Sequence, residues 1–149
     1  MAKVSVIGAG SWGTALTYVL DKNGHDVTVW SILEEEVRML QEKHEHVDKL
    51  PGVKLSENIK FTTNLQEAIQ GMDMMVLAVP SPYIRSTSKS MAPYVAEGQL
   101  IVNVAKGIEE ITLMTLPEII QEEIPQAKVA VLSGPSHAEE VGIGLPTTV

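Results

Sequence analysis

The sequence predicts an α/β fold built on one doubly wound, mostly parallel sheet with helices on both faces. Three observations carry this. Short apolar runs alternate with amphipathic stretches of helical period along the chain. Most of those runs are near-continuous rather than alternating, as strands buried on both faces are. The first run breaks into Gly8, Gly10 and Gly13 directly ahead of a helical pattern. A G-x-G-x-x-G between strand and helix brings backbone N–H groups up to a pyrophosphate. The expected sheet is therefore of the Rossmann type, and a nicotinamide dinucleotide is the first candidate ligand.

The elements follow in order. Val4–Ile7 reads as the first strand. Gly8 permits a tight turn off it, Gly10 lets the backbone approach phosphate oxygens, and Gly13 lets the next helix pack close. That helix spans Ser11–Lys22, with Trp12, Ala15, Leu16, Val19 and Leu20 at helical spacing. Its N-terminus offers unpaired N–H groups and a partial positive charge. Trp12 reads as a packing residue at the loop. Asn23-Gly24-His25-Asp26 stops the helix before the strand Val27–Trp30. A helix over Glu34–His46 leads into the longest loop, Val47–Ser56, which holds Pro51 and Gly52. Strands Ile59–Thr62, Met74–Val79, Leu100–Val104 and Val129–Leu132 follow, with helices near Leu65–Gln70, Tyr83–Tyr94 and Met114–Glu123. Leu145–Val149 reads as the opening of another strand, as though the chain were a piece of a longer one.

The 149 residues make one domain, residues 1–149, long enough to bury roughly 70% of its unfolded surface. The net charge of −8 argues against nucleic acid, which selects a basic face. Any phosphate affinity must then come from local groups. The chain has no cysteine, which excludes a disulfide scaffold, a zinc–thiolate site and a cysteine nucleophile. It is compatible with a cytoplasmic setting. A strand beginning at Lys3 and Val4 leaves no room for a signal peptide, and no apolar run approaches a membrane span. No metal-ligand cluster and no Ser-His-Asp order are visible; His44 and His46 read as solvated residues of a charged helix end.

Four segments can carry chemistry. An acidic residue about 20 positions past the glycines, at the end of the second strand, accepts from a ribose 2′-OH. Here the chain reads Trp30-Ser31-Ile32-Leu33-Glu34-Glu35-Glu36, with no Arg or Lys before Arg38. Ile32 and Glu34 therefore favour NAD over NADP, although acids in a first helical turn also suit the helix dipole. Pro80 follows a buried strand, where ligands bind in open α/β sheets, though Pro82 beside it also suits a helix start. Lys106, just past another buried strand and next to Gly107, can hold a phosphate or polarise a carbonyl. Gly134 and Ser136 can offer an N–H and a hydroxyl at a new helix start; Ser136 with Glu139 equally reads as a capping box.

Three ordered blocks, Gly8–Leu16, Val102–Glu109 and Ser133–Val141, resemble the bacterial type of NAD(P)-dependent glycerol-3-phosphate dehydrogenase. The resemblance covers the whole chain but only the N-terminal half of a typical member. It implies that Ser11 and Trp12 contact the cofactor's pyrophosphate region, that Lys106 touches cofactor and substrate, that Gly134 and Ser136 line the glycerol-phosphate site, and that Ala138 meets the cofactor again. The implied reaction interconverts dihydroxyacetone phosphate and sn-glycerol 3-phosphate with NAD(P). The chain departs from the family at Ile32, often basic there, and at His137, often aromatic. The family's proton-transferring lysine lies in a C-terminal helical domain, expected past Val149, so no catalytic residue is assigned within this chain. A homodimer is expected of the longer protein, and apolar surface is expected where the second domain docks. The competing readings are another NAD-dependent hydroxyacid or sugar-phosphate dehydrogenase, and a non-enzymatic nicotinamide-nucleotide-binding module.

Overall fold

A computed structural model describes residues 1–149. Six strands form one sheet in the order β3-β2-β1-β4-β5-β6. They are β1 Lys3–Ile7, β2 Asp26–Trp30, β3 Lys60–Thr62, β4 Met74–Leu77, β5 Leu100–Asn103 and β6 Lys128–Val131. Every pairing is parallel. The chain winds outward from β1 to β3, then crosses back to β4 on the other side of β1. The sheet's order thus reverses between β1 and β4, the place where open α/β sheets bind ligands. Register aligns the strand ends: Ile7 pairs with Trp30 and Leu77, and Leu77 with Asn103. The loops that follow β1, β2, β4 and β5 therefore leave the sheet along one edge.

The helices are α1 Ser11–Lys22, α2 Glu34–Lys43, α3 Leu65–Ile69, α4 Ile84–Met91, α5 Leu116–Glu123 and α6 Ala138–Gly142. Alternate side chains of the strands feed two apolar layers. On one face Ile7, Met75, Leu77 and Ile101 pack with Ile69 of α3, Ile84 and Met91 of α4, and Ile119 and Ile120 of α5. On the other, Val4, Val6, Val27, Val29 and Val76 pack with Val37 and Leu40 of α2 and with Leu16 and Leu20 of α1. Full burial of such side chains stabilises by about 1.5–3 kcal/mol each. A smaller cluster joins Ala15 of α1 to Leu50, Val53 and the Ala138 and Val141 side chains of α6.

Several boundaries differ from expectation for identifiable reasons. The helix predicted to reach His46 ends at Lys43, because His44 takes a left-handed conformation with φ 48°. The predicted Tyr83–Tyr94 helix is α4 flanked by 3-10 turns at Ser81–Tyr83 and Ala92–Tyr94, each with a proline near its start. Helix α5 begins at Leu116 rather than Met114, fixed by a Thr115–Glu118 capping box. The capping box expected of Ser136 and Glu139 is not formed: His137 is the N-cap residue of α6. Residues 145–149 form no strand. At the sheet's edge β6 is less covered than the central strands, with Val131 exposed; Ile143 and Leu145, just past α6, are exposed as well. No helix is long and apolar enough to cross a membrane.

Candidate functional site

The three glycines of the first loop have different reasons to be glycine. Gly8 leaves β1 with φ 115°, and a Cβ there would lie 2.9 Å from the Ala78 carbonyl. A Cβ on Gly13 would lie 2.1 Å from the Gly8 carbonyl oxygen. The protein's own packing thus demands both. Gly10 is unlike them. Its φ of −70° and ψ of −174° suit any residue, and nothing stands within 4 Å of a Cβ built on it. The missing side chain leaves open space over the N-terminus of α1, which no side chain caps. That is the arrangement of a ready anion site, with backbone donors and the positive end of a twelve-residue helix dipole.

A trough runs from this loop along the edge of the sheet. One arm, of about 410 Å³, is lined by Gly8, Gly10, Ser31, Ile32, Lys49 and Pro80, among others. The other, of about 500 Å³, is lined by Ser11, Trp12, Pro80, Lys106, Ser136 and Ala138, among others. Gly10, Ala78, Val79 and Pro80 belong to both. The trough therefore passes over the switch point and can take an elongated ligand, one end by β2 and the other by the loops after β5 and β6. It brings together Gly8, Gly10, Ser11, Trp12, Ile32, Pro80, Lys106, Ser136 and Ala138. Gly13 stands behind it as a packing residue. Gly134 does not line it; its carbonyl instead accepts from Lys106 Nζ at 2.8 Å. His137, a departure from the family pattern, lines the second arm.

Glu34 does not reach the trough. It faces a neighbouring hollow with Glu35, Met39 and Asp48, on the far side of Leu33, Glu36 and Lys49, which line both. The carboxylate that lines the trough's arm by β2 is Glu36, two positions on, because the first turn of α2 rotates Glu36 inward while Glu34 points to solvent. Glu36 is only 8% exposed and anchors a cluster that the sequence did not reveal. Its Oε1 accepts from Lys49 Nζ at 2.7 Å and contacts His46 Nε2 at 2.8 Å, and its Oε2 accepts from the Ser31 hydroxyl. His46 is 1% exposed, so its expected solvation is wrong. Its Nδ1 accepts from the Lys49 backbone N–H at 3.2 Å, which leaves Nε2 to carry the proton donated to Glu36. Burial raises the Glu36 pKa, but hydrogen bonds from Lys49, Ser31 and His46 outweigh it and hold the carboxyl below its ordinary value. Lys49 also corrects the expectation that no cation stands near this end of β2. It comes from the loop after α2, where sequence spacing gives no cue, and its charge is engaged by Glu36. Ser11 Oγ donates to the Lys49 carbonyl at 2.7 Å, tying that loop to the glycine turn.

At the other arm, Lys106 extends from a loop after β5. Asn103 Nδ2 donates to the Ala105 carbonyl at 3.0 Å, fixing the exit from the strand. Gly107 follows with φ 126°, its α-carbon turned toward Ser81 in the loop after β4. Further along, Glu109 is paired with Arg85, whose guanidinium, with the Thr112 hydroxyl, holds the Glu109 carboxyl down at about 2. No three His, Asp or Glu side chains gather as a metal site. The arrangement offers donors for a pyrophosphate, a half-engaged cation, and hydroxyl and carbonyl groups around it.

Comparison with known proteins agrees with this geometry. The family model described as the NAD-dependent glycerol-3-phosphate dehydrogenase N-terminus matches residues 3–149. The chain is 64% identical over 149 residues to a glycerol-3-phosphate dehydrogenase [NAD(P)+] of Agathobacter rectalis, covering all of this chain and 44% of that protein. It is 54% identical over 150 residues to the enzyme of that name from Fusobacterium nucleatum, covering 99% of this chain and 45% of that one. Among solved structures, the glycerol-3-phosphate dehydrogenase of Coxiella burnetii superposes with a TM-score of 0.92 at 32% identity, over 98% of this chain and 45% of that chain. The chain thus spans a little under half the length of the relatives it matches.

Proposed function

The chain belongs to the NAD-dependent glycerol-3-phosphate dehydrogenase family, by its N-terminal part, and from that premise we propose that residues 1–149 are the dinucleotide-binding domain of an enzyme interconverting sn-glycerol 3-phosphate and dihydroxyacetone phosphate. The observation that carries the binding reading is Gly10, whose missing side chain serves nothing inside the protein.

In this reading the cofactor's pyrophosphate lies over Gly10, Ser11 and Trp12, held by the backbone donors at the start of α1. Ser31, Ile32 and Glu36 border the adenosine ribose. Glu36 takes the place first expected of Glu34, exposed Ile32 offers no cation for a 2′-phosphate, and the one ammonium at this end, Lys49, is paired with Glu36. NAD is accordingly the preferred cofactor. Pro80 bounds the nicotinamide arm. When bound, the nicotinamide supplies or accepts the hydride. The chain's own residues bind and orient. Lys106 places a positive charge beside the substrate's C2 oxygen, where negative charge develops as hydride adds to the carbonyl. The Gly134 carbonyl holds that ammonium in place, and Ser136 offers its hydroxyl to the substrate. Ala138 meets the cofactor at the start of α6. Proton transfer is assigned to a residue outside 1–149. A homodimer and a cytoplasmic setting are carried by the resemblance alone.

The test is NADH oxidation by the native-length protein with dihydroxyacetone phosphate, with NADPH as the comparison. Turnover with NADH the better cofactor is expected. Absence of turnover with either overturns the reaction, and a strong NADPH preference overturns the roles given to Ile32 and Glu36.

A further inference from the structure

Arg85, in α4, is the hub of an ion-pair cluster that no motif in the sequence marks. Its Nε donates to Glu109 Oε2 at 2.7 Å and its Nη2 to Glu109 Oε1 at 2.9 Å. Its Nη1 donates to Glu123 Oε1 at 2.7 Å and Glu122 Oε2 at 3.1 Å, both in α5. Bidentate Arg–carboxylate pairs are strong and fix orientation as well as distance. The side chains are sheltered, Arg85 being 30% and Glu109 21% exposed.

Glu109 sits three residues past Lys106. The segment between β5 and α5 has no regular structure beyond one antiparallel bridge, Ile108 to Thr115. Apolar packing holds only its ends, at Val104, Ala105 and Met114; between them Ile108, Ile111 and Leu113 are all exposed. Polar ties hold the middle. Glu109 N–H donates to the Met114 carbonyl at 3.0 Å, Leu113 N–H to the Glu109 carbonyl at 2.8 Å, and Thr112 Oγ1 to Glu109 Oε1 at 2.6 Å. These bonds make the segment a closed loop on itself. The Arg85–Glu109 pair, with a weaker contact from Arg85 Nη2 to Met114 Sδ at 3.7 Å, fastens that loop to α4. Helix α4 in turn follows directly on the Pro80–Tyr83 wall of the trough, and Ser81 lies 3.4 Å from where a Gly107 Cβ would stand.

We propose that Arg85, through its bidentate pair with Glu109, is a positioning residue that sets the Lys106 ammonium against the Pro80–Ser81 wall of the trough. The inference rests on the reading of Lys106 as a ligand-binding residue. The pairs with Glu122 and Glu123 anchor Arg85 on α5, and only the Glu109 pair reaches the Lys106 loop. That difference separates positioning from plain stabilisation.

The experiment is NADH titration by tryptophan fluorescence, with thermal melting in parallel, on the native-length protein and five variants. Lys106→Met is expected to weaken NADH about tenfold, the loss of one charge-assisted contact. Glu109→Gln and Arg85→Met are expected to weaken it about three- to fivefold, and Arg85→Lys, which keeps one of the two bonds, by less. Glu123→Gln is expected to lower the melting temperature about as much as Glu109→Gln and to leave NADH affinity unchanged. Equal weakening by Glu109→Gln and Glu123→Gln overturns the proposal, as does Glu109→Gln binding like the parent while Lys106→Met is weakened. Unchanged affinity in Lys106→Met overturns the reading of Lys106 itself, and the positioning role with it. If Glu109→Gln does not fold, Arg85→Lys against Glu123→Gln decides by the same comparison.

Discussion

Substituting alanine at Gly10 and at Gly13 separates what the glycine loop does for a ligand from what it does for the fold. At Gly10 the backbone already has φ −70°, and the added methyl meets nothing within 4 Å. The folded state carries no clash. Alanine is a poorer N-cap than glycine, at a cost of about 0.5–1 kcal/mol, and it restricts the unfolded chain, a gain of about 0.4–1 kcal/mol. The two nearly cancel, so the melting temperature of Gly10→Ala should stay within about 3 °C of the parent. The methyl, however, stands over the start of α1, where phosphate oxygens would approach. Losing one charge-assisted backbone hydrogen bond costs about 1.5–3 kcal/mol, so NADH affinity should fall about 10- to 100-fold. At Gly13 the methyl would lie 2.1 Å from the Gly8 carbonyl oxygen, against an ordinary contact of 3.4–4 Å. Helix α1 must back away by about 1 Å, and overpacking of this kind costs about 1–3 kcal/mol. Gly13→Ala should therefore lose both melting temperature, by roughly 3–10 °C, and NADH affinity. Calorimetric titration with NADH and scanning calorimetry on the two variants make the comparison. A Gly10→Ala variant that binds NADH like the parent would refute the reasoning, because the space over Gly10 would then have no ligand in it.

Glu36→Gln removes the charge from the Ser31–His46–Lys49 cluster, leaving hydrogen-bonded donors with a weaker acceptor, and should destabilise the fold by about 1–3 kcal/mol, seen as a lowered melting temperature at neutral pH. Acid unfolding should show the same groups. The Glu36 and Glu109 pKa values are depressed in the folded protein, so their stabilisation is complete above the ordinary carboxylate value of 4.5 and is lost as pH falls, for Glu109 down to about 2. The melting temperature should therefore decline below about pH 4.5, and less steeply in a Glu36→Gln, Glu109→Gln double variant; an unchanged slope would remove these two carboxylates from the account.

Much of the fold was legible because buried parallel strands leave near-continuous apolar runs, and all six strands lie where those runs are. Proline and left-handed turns moved the helix ends: Pro82 and Pro93 tighten the flanks of α4, and His44 ends α2 early. The glycine loop was legible too, since Gly8 and Gly13 answer to local sterics within a few residues. What the sequence could not show was long-range pairing. Lys49 and His46 meet Glu36 only because the loop after α2 folds back over the end of β2. Arg85 meets Glu109 across two crossovers. Gly134, expected at a ligand, is a partner of Lys106 and packs against Thr148 and Val149. A single sequence carries spacing along the chain, and these contacts depend on spacing across it.

The central claim is that the trough over the β1–β4 switch point holds a nicotinamide dinucleotide, and amide chemical-shift mapping of the 15N-labelled chain during NADH titration tests it most directly. The account predicts shifts concentrated at Gly8–Gly13, Ser31–Leu33, Val79–Ser81 and Lys106–Gly107, in one saturable process. Saturable shifts that leave Gly10, Ser11 and Trp12 unmoved, or no shifts at any NADH concentration, would contradict it.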